Sequence, residues 1–290
     1  MSKNSNKILK PQANQERLKS LGALISGITH EINTPMHYLE NNLTFLKHSF
    51  NDLLKLEARY QELLNKARNR LSISEEEWKL LEAAEKQAEP DYLRSEIQQA
   101  LEQSLEGINM VSKLVLALKD FSHPSLHDFS LIDVNKCIDT VCTISRHEWK
   151  RNADLKLELS RDLPLLFASR DELHQVFLNI LVNAAHAIEE KIENNGYTRG
   201  LIKISTRFNQ EQIEVEIYND GSIIPHNIID KIFEANFTTK KAGKGTGLGL
   251  NLVKTIVEEA HKGKILVHSS PESGTSFKVI LPHRHANEVV

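Results

Sequence analysis

The chain has almost no cysteine. Cys137 and Cys142 are the only two in 290 residues. Their spacing matches no metal-binding pattern, and a single bridge could not staple a chain this long, which points to a reducing, cytoplasmic setting. Long apolar runs are missing as well. No stretch approaches the ~20 residues that a membrane-spanning helix needs. Residues 1–6 are polar, without the apolar centre of a signal peptide. No membrane span is therefore expected in the chain. Neither sign of charge is in excess, since 36 Lys+Arg against 39 Asp+Glu leave −3. That argues against nucleic acid or an acidic membrane as a bulk electrostatic partner. What is present is an ordinary soluble composition, 40% hydrophobic and 26% charged, at a length that suggests roughly two domains.

The first half is patterned for long helices. After a polar stretch expected to be a flexible arm (1–14), apolar residues recur in steps of three and four from Leu18 through Ile28, Ile32, Met36, Leu39, Leu43, Leu46 and Phe50 to Leu53. This is one amphipathic stripe, and the helix it predicts reaches to about residue 70. Ser74 and Glu77 have the spacing of a capping box and predict a short helix that stops before Pro90. A second stripe follows, Leu93, Ile97, Leu101, Leu105, Ile108, Val111, Leu114, Leu118 and Phe121. Two long helices in hairpin order cannot bury both stripes alone. A homodimer that builds a four-helix bundle is the economical solution.

One histidine on the first helix stands out. Ile28 and Ile32 face the core, so His30, two positions from each, points outward, and Thr34 shares its face one turn later. Pro35 removes the helical partner of the Glu31 carbonyl. By itself His30 is one of 13 histidines and reads as a solvated surface residue.

The second half alternates helices with strands. Val134 to Ile144 is helical, and Leu155 to Leu159 alternates as a strand. A helix follows from Ser169, with Leu173, Val176, Phe177, Ile180, Leu181, Ala184 and Ile188 on its apolar face. Beside that face Gln175, Asn179 and Asn183 form a stripe at four-residue spacing. This suits a polar ligand or a metal–phosphate group as well as it suits solvent. Leu201–Thr206 and Gln212–Ile217 read as an antiparallel pair leading to the polar turn Asn219-Asp220-Gly221, where an amide or carboxylate could accept from a purine amino group. Then comes Gly243-Lys244-Gly245-Thr246-Gly247-Leu248-Gly249-Leu250, running into an amphipathic helix. Glycines free the backbone to approach phosphate oxygens. It is neither a Walker loop nor a dinucleotide fingerprint. Strands near Lys264–His268 and Thr275–Leu281 close a sheet covered by helices on one face.

Taken in order, these segments resemble the transmitter region of two-component sensor histidine kinases, from about residue 15 to 283. His30-Glu31-Ile32-Asn33-Thr34-Pro35 is similar to the phosphoacceptor box, Gln175 to Ala187 to the asparagine box, and Asn219-Asp220-Gly221 to the adenine-side glycine box. Lys231 to Lys240, with Phe237, is similar to the phenylalanine box, and Gly243 to Leu250 to the second glycine box. Gyrase-type ATPases and heat-shock chaperones share the nucleotide fold but not the hairpin with its H-E-x-x-T-P. The resemblance implies an α+β chain, a long helical hairpin forming a dimeric four-helix bundle followed by an α/β sandwich ATPase domain. It implies ATP and Mg²⁺, with Asn183 as metal ligand. Asn179, Asn219, Asp220, Gly221, Phe237, Lys240, Gly245, Thr246, Gly247, Leu248 and Gly249 would lie around the nucleotide. It implies autophosphorylation of His30, with Glu31 orienting its proton and Thr34 placed for a dephosphorylating water. The phosphoryl group would then pass to the aspartate of a separate response regulator receiver domain.

The boundaries expected are a hairpin over 15–122 with an inter-helix elaboration at about 55–90, a linker over 123–130, and a catalytic domain over 131–285. No sensor pattern precedes the hairpin, so input from a separate sensor protein, through the elaboration or from a region outside this sequence is expected. The adenine box departs from the family's D-x-G-x-G-I, because Asn219 stands at the aspartate and Ile223 at the second glycine. A neutral amide accepts more weakly than a carboxylate, which predicts weaker ATP binding. It leaves two alternatives standing: a nucleotide-binding scaffold of low activity that regulates a partner, and a gyrase-like ATPase with His30 incidental.

Overall fold

The computed structural model describes residues 5–122, 129–239 and 247–283. The chain divides into two compact units, one of residues 30–113 and one of residues 1–29 with 114–290.

The first unit is helical. It holds the greater part of α1 (Ser5–Arg68), all of α2 (Glu75–Ala88) and most of α3 (Pro90–Ser122). Helix α1 begins at Ser5, so the segment 1–14, expected as a loose arm, is helical from that residue on. The apolar pattern of α1 resolves into two seams rather than one. Leu39, Leu46, Leu56 and Leu63 are buried, whereas Met36, Leu43, Phe50 and Leu54 are exposed, Leu43 by 59%. Helix α3 divides likewise. Its buried seam is small, Ala100, Ser104 and Gly107, and the side-chain amide of Asn42 donates to the Ala100 carbonyl at 3.2 Å. A Cβ on Gly107 would stand 2.7 Å from the Tyr38 ring, so α1 and α3 approach closely here only because residue 107 lacks one. Leu101, Leu105 and Ile108 form the exposed counterpart.

The elaboration is an ordered third helix. Ser74 caps α2 as its spacing predicts. Its hydroxyl accepts from the Glu77 N–H at 3.3 Å, and the Glu77 carboxylate accepts from the Ser74 N–H at 2.9 Å. Leu81 and Ala88 pack on Leu56 and Leu63 of α1, with Ile73 and Ala84 around them. An ion pair between Lys66 and Glu77 and a hydrogen bond from Tyr60 to Glu85 (3.1 Å) tie the rim. Helix α2 ends at Glu89, which adopts a left-handed φ of 41°, and Pro90 opens α3, where its missing N–H costs nothing.

The second unit is built on a five-stranded sheet. After β1 (Ser130–Ile132), α4 (Val134–Ile144) and the single turn α5 (Arg146–Trp149) come β2 (Ala153–Glu158), β3 (Leu166–Ala168) and α6 (Arg170–Asn195). Then follow β4 (Gly200–Asn209), β5 (Gln212–Asn219), a 3₁₀ turn over Lys231–Phe233 and α7 (Gly249–Lys254). Helix α7 runs on into a π-helix, Thr255–Ala260, and β6 (Lys264–Ser270) and β7 (Gly274–Pro282) end the fold. The strand order is β2-β4-β5-β7-β6, with β2 and β4 parallel and the other pairs antiparallel. Burial alternates along β5 and β7, and Ile213, Val215, Ile217, Phe277, Val279 and Leu281 face inward. Helix α6 packs on β4 and β5 with its apolar face from Leu173 to Ile188 buried, and α4 packs on α6 with Ile138 and Val141 buried. Each fully buried Ile, Leu or Phe contributes about 1.5–3 kcal/mol. The α/β sandwich expected from the pattern is thus the fold observed.

Two features differ from expectation. β1 and β3 pair as a separate two-stranded antiparallel sheet, which three-residue strands do not announce. Ser130, expected as linker, is already strand; the rest of that linker, 123–128, lies outside the described residues. Within the same unit the last turn of α3 is held by Phe121, whose ring stacks on His174 of α6 at 5.8 Å.

Candidate functional site

Helix α6 positions the site. Its polar stripe borders the apolar face, and three segments converge on it. The turn after β5 is stapled first. A Cβ on Gly221 would lie 2.5 Å from the backbone of Ala187, and the Ser222 N–H donates to the Ala187 carbonyl at 2.8 Å. Gly221 is therefore required for close packing one turn beyond Asn183. The start of α7 is laid on the helix next. A Cβ on Gly249 would stand 3.3 Å from Asn179 Oδ1. The third segment is the 3₁₀ turn and the residues after it. The Asn251 amide donates to the Phe233 carbonyl at 2.9 Å. Gly247 has φ 67°, and a Cβ there would stand 2.5 Å from the backbone of Asn236. Phe237 and Leu248 are half-buried at this junction. Asn179, Gly221, Gly247 and Gly249 thus lie along or beside α6 and the start of α7, whereas Lys240, Gly245 and Thr246 lie outside the described residues.

The polar groups are arranged unequally. Asn179 Nδ2 is buried with no acceptor among the described residues. An unpaired buried donor costs about 1–3 kcal/mol, so it suits an anionic oxygen brought by a ligand. Asn219 is 2% exposed at the end of β5, and its Oδ1 accepts from the Gly221 N–H at 3.0 Å. Asp220, next to Asn219, is engaged elsewhere. Its carboxylate accepts from the Leu201 N–H at 2.8 Å and from the Tyr197 hydroxyl at 2.7 Å, so both oxygens are committed to the start of β4. Ile223 is 42% exposed.

Sequence reasoning missed two things. Thr275 of β7 is buried and stands directly opposite Asn219 in the sheet register, with its hydroxyl 2.7 Å from that of Ser269. The signal available was the strand itself, since register places its first residues beside the end of β5. The second is a carboxylate between two imidazoles. Glu148 lies 3.3 Å from His147 and 3.6 Å from His186 of α6, and hydrogen bonds to the two hold its carboxyl far below the usual carboxylate range. Cys137 and Cys142 are buried, which pushes both thiols up to about 12, and they take no part.

The helical unit carries the other candidate residues. His30 and Thr34 are exposed and Glu31 is half-buried. The Thr34 hydroxyl donates to the His30 carbonyl at 3.0 Å, one turn back along α1. Ile28 and Pro35 are buried, so the outward direction read for His30 holds.

A helix-backed mixed sheet with a polar α6 stripe and a glycine-opened helix defines a class, the nucleotide-binding ATPase sandwich. Residues 168–285 match the family of histidine kinase-, DNA gyrase B- and HSP90-like ATPases. The signal transduction histidine-protein kinase AtoS of Escherichia coli is 29% identical over 93% of this chain and 36% of its own length. The sensory histidine kinase/phosphatase NtrB of Rhizobium meliloti is 30% identical over 59% of this chain and 46% of its own. Among solved structures, the catalytic domain of the histidine kinase ThkA is 30% identical, with a TM-score of 0.46, and covers 54% of this chain and 98% of that one. Residues 168–285 thus belong to the histidine kinase-, DNA gyrase B- and HSP90-like ATPases, and the relatives that match beyond them are sensor histidine kinases. The chain spans less than half the length of the curated relatives AtoS and NtrB.

Proposed function

We propose that the chain is the transmitter of a histidine kinase, which phosphorylates His30 from ATP and passes the phosphoryl group to an aspartate of a separate response regulator. The observation that carries this reading is the unpartnered amide of Asn179, a buried donor at the edge of the glycine-opened helix. An ATP phosphate oxygen satisfies it. Asn183, one turn on, offers a hard amide oxygen for Mg²⁺, which would neutralise phosphate charge. The purine amino group meets Asn219. A His30 nitrogen lone pair attacks the γ-phosphorus in line, the bond to the ADP oxygen breaks, and the imidazole proton passes to Glu31. Catalysis is then positioning and charge neutralisation. Thr34 is placed for a water that removes the phosphoryl group from the regulator, an activity named for NtrB. The exposed seams of α1 and α3 support a homodimer. No helix among the described residues is long and apolar enough to cross a membrane, and a cytoplasmic location is part of the proposal.

One observation favours a second reading. The single carbonyl of Asn219 is already engaged by Gly221, so adenine shares an acceptor, and a weakly binding scaffold follows if that sharing is too costly. Incubation with γ-labelled ATP and Mg²⁺ separates the readings. Acid-labile, base-stable label on the protein, lost in His30→Gln and in Asn183→Ala, is the expected result. Free phosphate without protein label identifies an ATPase, and neither product identifies the scaffold. Asn219→Asp should tighten ATP binding by about fivefold, since an ionised acceptor is roughly twice as strong.

A further inference from the structure

The polar stripe of α6 begins one turn before the asparagines. Gln175 is 8% exposed, and its Nε2 has no acceptor among the described residues. Asn179 Nδ2, four residues later on the same face, is in the same condition. Two buried, unpaired amide donors on adjacent turns are costly together, at about 1–3 kcal/mol each. Methionine would fill the volume of Gln175 without that cost. The pairing therefore points to one polyanionic group reaching both.

The order of groups along α6 says which part of that anion meets Gln175. The adenine-side turn is stapled to the helix at Ala187, and Asn183, Asn179 and Gln175 follow in steps of four toward the N-terminus. From Ala187 to Gln175 is twelve residues, ~18 Å of helix. A nucleoside triphosphate laid from Asn219 along this line reaches its terminal phosphate last, at the Gln175 end. The segment from Gly249 to His261 flanks the same stretch. Gly249 lies at Asn179, and the Ser169 N–H donates to His261 Nε2 at 3.2 Å, so the segment runs antiparallel to α6 and Gln175 falls between its two ends. Its second half is the π-helix Thr255–Ala260, a wide turn of the kind found at functional sites.

We infer that Gln175 is a nucleotide-binding residue whose amide donates to a non-bridging oxygen of the terminal phosphate, so that the site tells ATP from ADP. The inference rests on the nucleotide reading above and adds a residue and a specificity to it. It is tested by titrating ATP and ADP, each with Mg²⁺, into the full chain and into Gln175→Met and Gln175→Glu. Gln175→Met should weaken ATP at least fivefold and leave ADP within twofold, while melting at or above the wild-type temperature without nucleotide. Gln175→Glu keeps the shape but loses the donor and adds repulsion, so its ATP loss should be larger. It also carries the test if the methionine variant fails to fold. Equal losses for both nucleotides, or none, overturn the assignment while leaving nucleotide binding intact. A wild-type chain that binds neither nucleotide overturns the nucleotide reading itself.

Discussion

The helical unit and the sheet unit leave opposite kinds of group without a partner. In the helical unit they are apolar and outside: Met36, Leu43, Phe50 and Leu54 on α1, and Leu101, Leu105 and Ile108 on α3. In the sheet unit they are polar and inside: the amides of Gln175 and Asn179 on α6, which have no acceptor among the described residues. The first shortage is met by a surface, because apolar area is satisfied by any well-packed apolar neighbour. The second is met by a ligand, because a buried donor needs an acceptor in one place. One unit thus leaves apolar surface uncovered, and the other leaves two amide donors without an acceptor among the described residues.

The comparison is broken most directly by charging the apolar seam. Leu43→Glu combined with Leu105→Glu places four carboxylates in the proposed dimer interface. The dissociation constant should rise roughly a thousandfold or more, converting dimer to monomer by light scattering, while ATP binding stays unchanged. An unaltered mass would show that the seam is not where copies meet. Next in size is the core of the elaboration. Leu63→Ala opens a cavity among Leu56, Leu81 and Ala88 and should cost about 2–5 kcal/mol. Hydrogen exchange should rise over residues 56–88 alone, leaving α6 protected.

Gly221→Ala probes the other unit. Its Cβ would stand 2.5 Å from backbone, where no side chain can give way, so a loss of about 1–3 kcal/mol is expected in urea unfolding, with weakened ATP binding. The smallest effect is a pH dependence. His261 is buried; burial lowers its pKa, partly offset by its hydrogen bond to the Ile256 carbonyl. The unfolded chain therefore takes up a proton first. Stability is full above about pH 6.5 and falls as the pH drops below it toward the lower folded value. His261→Phe should flatten that slope in melting curves between pH 7 and 5, whereas an unchanged slope would assign the effect to other groups.

Much of this was legible in the residues. Apolar steps of three and four mark α1 and α3, and the Ser74–Glu77 pair marks the start of α2, because helix periodicity and capping are local. Strict alternation marks β5 and β7 for the same reason. The asparagine stripe and the glycines at 221 and 249 were legible as a nucleotide site through their resemblance to a family. What was not legible depends on distant partners. Three-residue strands such as β1 and β3 exist only because each pairs with the other. The single stripe read along α1 is two seams, because which leucines are covered is decided by where Ala100, Ser104 and Gly107 let α3 approach.

Alone, the sequence determined the long helices, the cap at Ser74 and the alternating strands β5 and β7, and that His30 faces outward, because those follow from near neighbours in the chain. Tertiary structure decided the rest. It committed both carboxylate oxygens of Asp220 to Tyr197 and the start of β4. It also left the donors of Gln175 and Asn179 without an acceptor among the described residues, since whether a buried amide finds one depends on distant chain folded beside it.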